Sequence, residues 1–192
     1  MANRIFCLVG KSGSGKDTLF ARILERDPEL VPVIPYTTRP RRTGEVEGQN
    51  YCFVTEGQLR QYEDQGQVIE KREYHTVQGL WIYFTLRFPL DRNRILITTL
   101  EGARALMDAY GSQAVCIVYL HVDDRTRLLR CIDREEGQER PDYAEVCRRF
   151  LADQSDFGAG QLAQFPGLYS IDTGAGVEDC LRQWEMLYQK LK

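Results

Sequence analysis

Long apolar runs are missing from this chain. Near the start, Ile5 to Val9 is too short for the core of a signal peptide and leads straight into glycines. No stretch approaches the roughly 20 apolar residues that a membrane span requires. Histidine is scarce, and the two present, His75 and His121, offer no metal-ligand spacing. No single sign of charge dominates: the formal net charge is −3, so no global positive field favours nucleic acid or an anionic membrane. Any positive charge that matters is therefore local. Six cysteines (Cys7, Cys52, Cys116, Cys131, Cys147 and Cys180) include no CxxC, and several fall within apolar patterns. They read as reduced, buried thiols rather than a disulfide scaffold or a zinc site. These absences lead to the expectation of a cytoplasmic protein whose partners are small molecules, with neither membrane nor nucleic acid among them.

What is present fits an ordinary globular chain. It has 192 residues, 43% hydrophobic and 28% charged, enough for one sizeable core with inserted subdomains. Residues 4–9 read as a buried strand, followed by a glycine loop and a helix from Lys16 to Arg26 with Leu19, Phe20, Ile23 and Leu24 at helical spacing. Val31–Tyr36 reads as an edge strand interrupted by prolines. Residues 37–93 differ in character: short alternating segments at Asn50–Val54, Val68–Tyr74 and Leu80–Leu86, with a helix near Glu56–Gln65. Arg94–Leu100 and Ala114–Val122 are apolar strands separated by a helix over Gly102–Tyr110. Asp123 or Asp124 caps a further helix. Residues 134–142 read as a charged loop, with Pro141 in the first turn of a helix ending near Phe157. Leu168–Ile171 is a last strand, and Val177–Leu191 an amphipathic helix. Apolar strands alternating with helices predict an α/β fold with a parallel sheet covered on both faces.

The strongest motif is Gly10-Lys11-Ser12-Gly13-Ser14-Gly15-Lys16-Asp17-Thr18. It lies between a strand and a helix, the context of a P-loop. Its glycines allow backbone N–H groups to converge on phosphate oxygens, the helix N-terminus adds its dipole, and Lys16 adds a charge for the β- and γ-phosphates of a nucleoside triphosphate such as ATP. After the lysine a hydroxyl residue that binds Mg²⁺ is expected, yet Asp17 stands there and Thr18 comes one place later.

A second constellation runs from Tyr36 to Val54: Thr37-Thr38-Arg39-Pro40-Arg41-Arg42-Thr43-Gly44-Glu45, then Gly48, then Tyr51-Cys52-Phe53-Val54. Guanidinium forks bind phosphate oxygens in pairs, so Arg39 and Arg42 can grip a monoester phosphate with the Tyr51 hydroxyl as a third donor. Taken alone, such a segment is equally a solvated basic loop. Following a P-loop at this distance, it reads as a phosphate site.

The P-loop, the pattern TTRxxRxGExxGxxYxFV and the later Val68-Ile69-Glu70 together resemble the guanylate kinase family, over essentially the whole chain. The resemblance implies a P-loop NTPase three-layer sandwich in one domain. Its core would be residues 1–36, 94–133 and 150–192, with a small β-rich acceptor-binding insertion at 37–93 and a lid at 134–149. It implies transfer of the ATP γ-phosphate, with Mg²⁺, to GMP or a similar nucleoside monophosphate. By match, Arg39, Arg42 and Tyr51 hold the acceptor phosphate, and Glu70 reads the guanine edge. A further family tyrosine corresponds to Tyr83, with Trp81 as the rival. Arg130 and Arg134, four residues apart on one helix face, and Arg149 on the next helix match the arginines that close over the phosphates. Arg148 reads as a surface ion pair.

The chain departs from the family pattern at Ile97 and Thr99, which stand where the family carries aspartates, Thr99 at the acceptor nucleoside. Asp17, with Thr18, reads as the substitute partner of Mg²⁺. The loop's GKD(S/T) form and the strand without those aspartates also resemble ribose 1,5-bisphosphate phosphokinases, which lack the YxFV segment. A non-catalytic scaffold module of guanylate-kinase-like type is the remaining alternative, against which Lys16 and the lid arginines weigh.

Overall fold

In a computed structural model that describes residues 2–42, 45–76 and 79–191 (Thr76 by its backbone alone), strand β1 is Ile5–Val9, with all five residues buried. It lies at the centre of a five-stranded sheet. On one side pairs β7 (Arg94–Ile97), and beyond it β2 (Val31–Pro32); on the other side pair β8 (Val115–His121) and then β9 (Tyr169–Asp172). Every pairing is parallel, with Phe6 opposite Ile95 on one flank and Cys116 on the other. Helices cover both faces, so the strands are apolar throughout rather than alternating.

Helices α1 (Lys16–Arg26) and α7 (Val177–Leu191) cover one face. Leu19 and Ile23 from α1 meet Phe6, Leu8, Leu181 and Trp184 in one core cluster. The Phe6 ring stands edge-on to Trp184 and Tyr188 at centroid separations of 5.3 and 5.2 Å, a preferred aromatic geometry. On the other face Ile5, Cys7, Val9, Leu96 and Ile117 pack against α3 (Leu100–Tyr110), Phe157 and Phe165.

A second sheet is built from β3 (Tyr36–Thr37), β4 (Cys52–Phe53), β5 (Val68–Thr76) and β6 (Gly79–Leu86), in the order β4-β3-β6-β5. Helix α2 (Glu56–Asp64) starts in a capping box, in which Thr55 and Gln58 each satisfy the other's backbone N–H. Ile82 and Phe84 pack on Leu59, Tyr36 and Tyr62 on this helix side of the sheet. Trp81, Tyr83 and Thr85 alternate onto the opposite face. Helices α4 (Asp124–Glu136), α5 (Tyr143–Asp156) and the short α6 (Ala159–Leu162) complete the chain.

Several expected boundaries differ. The single edge strand over Val31–Tyr36 is instead divided between the two sheets, because Pro32 and Pro35 lack N–H donors and only Val33 continues the ladder, to Ile95 O at 2.8 Å. The strand expected to reach Leu100 stops at Ile97: the Thr99 hydroxyl accepts from the Gly102 N–H at 3.1 Å and starts α3 two residues early. Of the loop expected at 134–142, the first three residues continue α4, and Asp142 rather than Pro141 opens α5, its carboxylate accepting from the Glu145 N–H at 3.0 Å.

Candidate active site

The glycine loop passes under the C-terminal end of β1, and its glycines are where other residues cannot fit. A Cβ on Gly13 would stand 2.3 Å from the Arg127 carbonyl oxygen, at a φ of +76° that side chains avoid. A Cβ on Gly10 would stand 2.5 Å from Leu120 O. Lys16 turns back over the loop and donates from Nζ to Gly10 O at 2.7 Å and Lys11 O at 3.0 Å. Burial lowers the affinity of its amine for a proton, an effect that Asp17 and Asp153 oppose and Arg134 adds to. The Ser14 hydroxyl is buried in the loop with no hydrogen-bond partner among the described residues. Asp17 and Thr18 are exposed on the first turn of α1.

The loop's outer lip is held by a brace that sequence reasoning missed. The Ser12 N–H donates to Asp153 Oδ2 at 2.8 Å, and Lys11 Nζ to Gln154 Oε1 at 2.6 Å. Arg127, 1% exposed, donates from Nη1 to the same Asp153 oxygen at 3.3 Å and from Nε to Asp124 Oδ1 at 2.7 Å. Its guanidinium carbon lies 3.7 Å from the centre of the Phe150 ring. The Asp124–Arg127 spacing, i to i+3, was the one hint in the sequence; nothing local marks an arginine for burial.

Across from the loop, the second sheet gathers the acceptor candidates. Arg39 is 3% exposed; both its terminal nitrogens bond Glu45, and its Nε donates to the Tyr83 hydroxyl at 2.9 Å. The Tyr51 ring lies 5.1 Å from the Arg39 guanidinium carbon and edge-on to Tyr83 at 5.5 Å. Arg39, Tyr51 and Tyr83 thus share one spot, while Trp81 lies beneath Arg42, 5.7 Å from its guanidinium carbon. Burial raises the Tyr51 hydroxyl's pKa; Arg39 and Arg72 lower it, and Asp17 adds a smaller upward push across the gap from α1. Thr43 and Gly44 of the arginine motif lie outside the described residues.

Glu70 accepts from Thr85 Oγ1 at 2.8 Å and from Arg72 Nε at 3.2 Å. Neither Thr85 nor Arg72 was singled out in the sequence, because only the strand register brings them to Glu70. Thr99, besides capping α3, lines a cleft of about 680 Å³ together with Arg72, Tyr74, Leu100, Arg104 and Phe157. Arg130 reaches the loop, donating to Gly13 O at 3.4 Å and to Thr173 O at 3.0 Å. Arg134 is exposed one turn on, within electrostatic range of Lys16. Arg149 sits in ion pairs with Glu135 at 3.8 Å and Glu145 at 3.4 Å, and Arg148 bonds Glu145 at 2.6 and 2.8 Å.

A family model described as guanylate kinase matches residues 2–86. The guanylate kinase of Synechococcus elongatus is 33% identical over 165 residues, which cover 82% of this chain and 85% of that protein. The chain belongs to the guanylate kinase family. The guanylate kinase of Syntrophus aciditrophicus is 38% identical over 191 residues, covering 96% of this chain and 85% of the relative. The crystal structure of guanylate kinase from Anaplasma phagocytophilum superimposes with a TM-score of 0.62 at 21% identity, over 99% of this chain and 87% of that one, a likeness of fold. As a guanylate kinase family member the chain is an enzyme, an ATP-dependent phosphotransferase of the nucleoside monophosphate kinase class. These relatives lend no support to a sugar-phosphate kinase or a scaffold module. No helix among the described residues is long and apolar enough to cross a membrane.

Proposed function

We propose that the chain catalyses ATP + GMP ⇌ ADP + GDP, with the loop around Lys16 holding ATP and the Arg39–Tyr51–Tyr83 cluster holding the acceptor phosphate. The observation that carries this reading is the convergence of a buried arginine and two tyrosines on one spot, facing a glycine loop whose half-buried lysine lies over the loop's own carbonyls. A phosphate oxygen of GMP attacks the γ-phosphorus, the bond to the β–γ bridging oxygen breaks, and ADP leaves. No covalent enzyme intermediate is required, since positioning and charge stabilisation supply the catalysis.

Lys16 exchanges its two carbonyl partners for phosphate oxygens when the triphosphate enters. Arg130, already at the loop, and Arg134 and Arg149 bring positive charge to the equatorial oxygens as negative charge builds there. Glu70 accepts from the guanine N1–H and N2–H donors. Arg42 and Thr99 contribute at the two ends of the acceptor. On this reading the chain divides by task into a core (1–36, 94–133, 150–192), an acceptor-binding part (37–93) and a lid (134–149) that closes to exclude water. Magnesium suits the oxygen donors at the start of α1. Asp17 and Thr18, both exposed beside Lys16, would hold it jointly with phosphate oxygens and water, and it would neutralise charge on the phosphates. The reading has the enzyme working in the cytoplasm on small molecules alone.

The test is ADP release from Mg-ATP with GMP, dGMP, AMP, UMP and ribose 1,5-bisphosphate as acceptors. GMP is expected to give the highest kcat/KM. A faster rate with the base-free sugar phosphate, or with AMP, overturns the assignment.

A further inference from the structure

Strands β5 and β6 pair with Glu70 opposite Thr85, Arg72 opposite Tyr83 and Tyr74 opposite Trp81. Residues directly opposite in an antiparallel pair share a face, so these six side chains form one ladder. The ladder's Tyr83 bonds Arg39, which makes this the face that meets the acceptor. The apolar residues Ile82, Phe84 and Leu86 occupy the other side.

Within the ladder both oxygens of Glu70 are engaged, Oε1 by Thr85 and Oε2 by Arg72. The Glu70 side chain is 7% exposed and that of Arg72 23%, and it is Arg72 that lines the cleft shared with Thr99 and Leu100. In an ion pair so largely withdrawn from water, the cost of desolvation offsets much of the attraction, so its net contribution to stability is small. Its value lies in what it presents: a carboxylate that accepts hydrogen bonds beside a guanidinium that donates them.

We propose that Arg72 is a specificity-determining residue that donates to the O6 carbonyl of the acceptor's guanine while Glu70 takes the adjacent N1–H. This rests on the GMP reading above and extends it to a second base contact. Guanine offers, along one edge, an acceptor at O6 followed by donors at N1 and N2, the complement of the Arg72–Glu70 array. Adenine offers a donor at N6 and an acceptor at N1, the reverse order, so both protein groups would meet like partners. Rejection of a mispaired base is strong because the buried protein groups are then left unpaired. The fork of arginine allows Nε to remain on Glu70 while other N–H groups serve the base, a division that lysine's single ammonium cannot make.

The experiment measures dissociation constants by calorimetry for GMP and for 2-aminopurine riboside 5′-monophosphate, which lacks O6 and the N1 proton but keeps the 2-amino donors. The proteins are wild type, Arg72→Ala and Arg72→Gln. Loss of one hydrogen bond from a charged donor predicts GMP binding weakened roughly 10- to 100-fold in Arg72→Ala. The 2-aminopurine nucleotide should bind all three proteins equally, and Arg72→Gln, which keeps an N–H donor, should recover part of the GMP affinity. If Arg72→Ala misfolds, Arg72→Gln alone carries the comparison, its loss confined to GMP. Equal losses on both nucleotides, meaning Arg72 acts only by orienting Glu70 towards the 2-amino group that both share, overturn the proposal and leave the GMP assignment standing. Unchanged GMP affinity overturns it likewise. A wild type that binds neither GMP nor its analogue overturns both readings together.

Discussion

Arg39 is fixed in place by its neighbours. Its fork is held by Glu45, its Nε by Tyr83, and the whole side chain is buried. The same guanidinium, the largest influence on its partner, holds the Glu45 carboxyl at about 2, against an ordinary value of 4.5. A carboxylate depressed on folding contributes stability that is present above its unfolded value and lost as pH falls towards the folded one. Urea melts of wild type and Glu45→Gln should therefore differ most near neutral pH. The gap should narrow as pH drops below about 4.5 and close near pH 2. A gap independent of pH would mean that Glu45 acts by shape rather than charge. The pairing could be suspected from Arg39 and Glu45 in one motif; the burial that gives it force could not, because it depends on β6 lying alongside.

Among elements, the brace from α4 and α5 to the glycine loop decides how firmly the loop is set. Asp153 takes hydrogen bonds from both the loop's Ser12 N–H and the buried Arg127. Removing one partner of a buried ion pair leaves a charge uncompensated, so Asp153→Ala should cost about 3 kcal/mol of stability, with Asp124 covering part of the loss. Asp153→Asn, which retains an acceptor oxygen, should cost less, and equal costs would refute the role given to the oxygen. At this scale the sequence was informative wherever a pattern was local. Leu19 and Ile23 announced α1, and the stripe from Cys180 to Tyr188 announced α7. It misled where a residue inside a run interrupted it: the Thr99 cap that opens α3 early, and the two prolines that divide Val31–Tyr36 between sheets. Arg127 went unnoticed because its burial requires Phe150 and Asp153 of α5 to fold back over it, which the pattern of neither helix reveals.

For the molecule as a whole, the glycine loop of one sheet and the Arg39–Tyr51–Tyr83 cluster of the other lie on opposite sides of one gap. The fold class and the loop were legible because strand, glycines and helix follow one another in sequence. The ladder around Glu70 was only half legible. Glu70 stood in a recognisable motif, whereas Thr85 and Arg72 join it only through the register of β5 on β6. Ligands that bind the folded form alone raise its apparent stability, so GMP at a hundredfold excess over its dissociation constant should raise Tm by about 5 to 10 °C. An unmoved Tm under saturating GMP would contradict a preformed acceptor face.

The chain's two tryptophans fall on opposite sides of this division: Trp184 is sealed in the core against Phe6, and Trp81 lies partly open beside Arg42. Fluorescence consequently has two separable channels, a blue-shifted signal from the interior that reports unfolding and a solvent-sensitive one that reports occupancy of the acceptor side. The molecule can be followed through its catalytic cycle by its own light, without a dye.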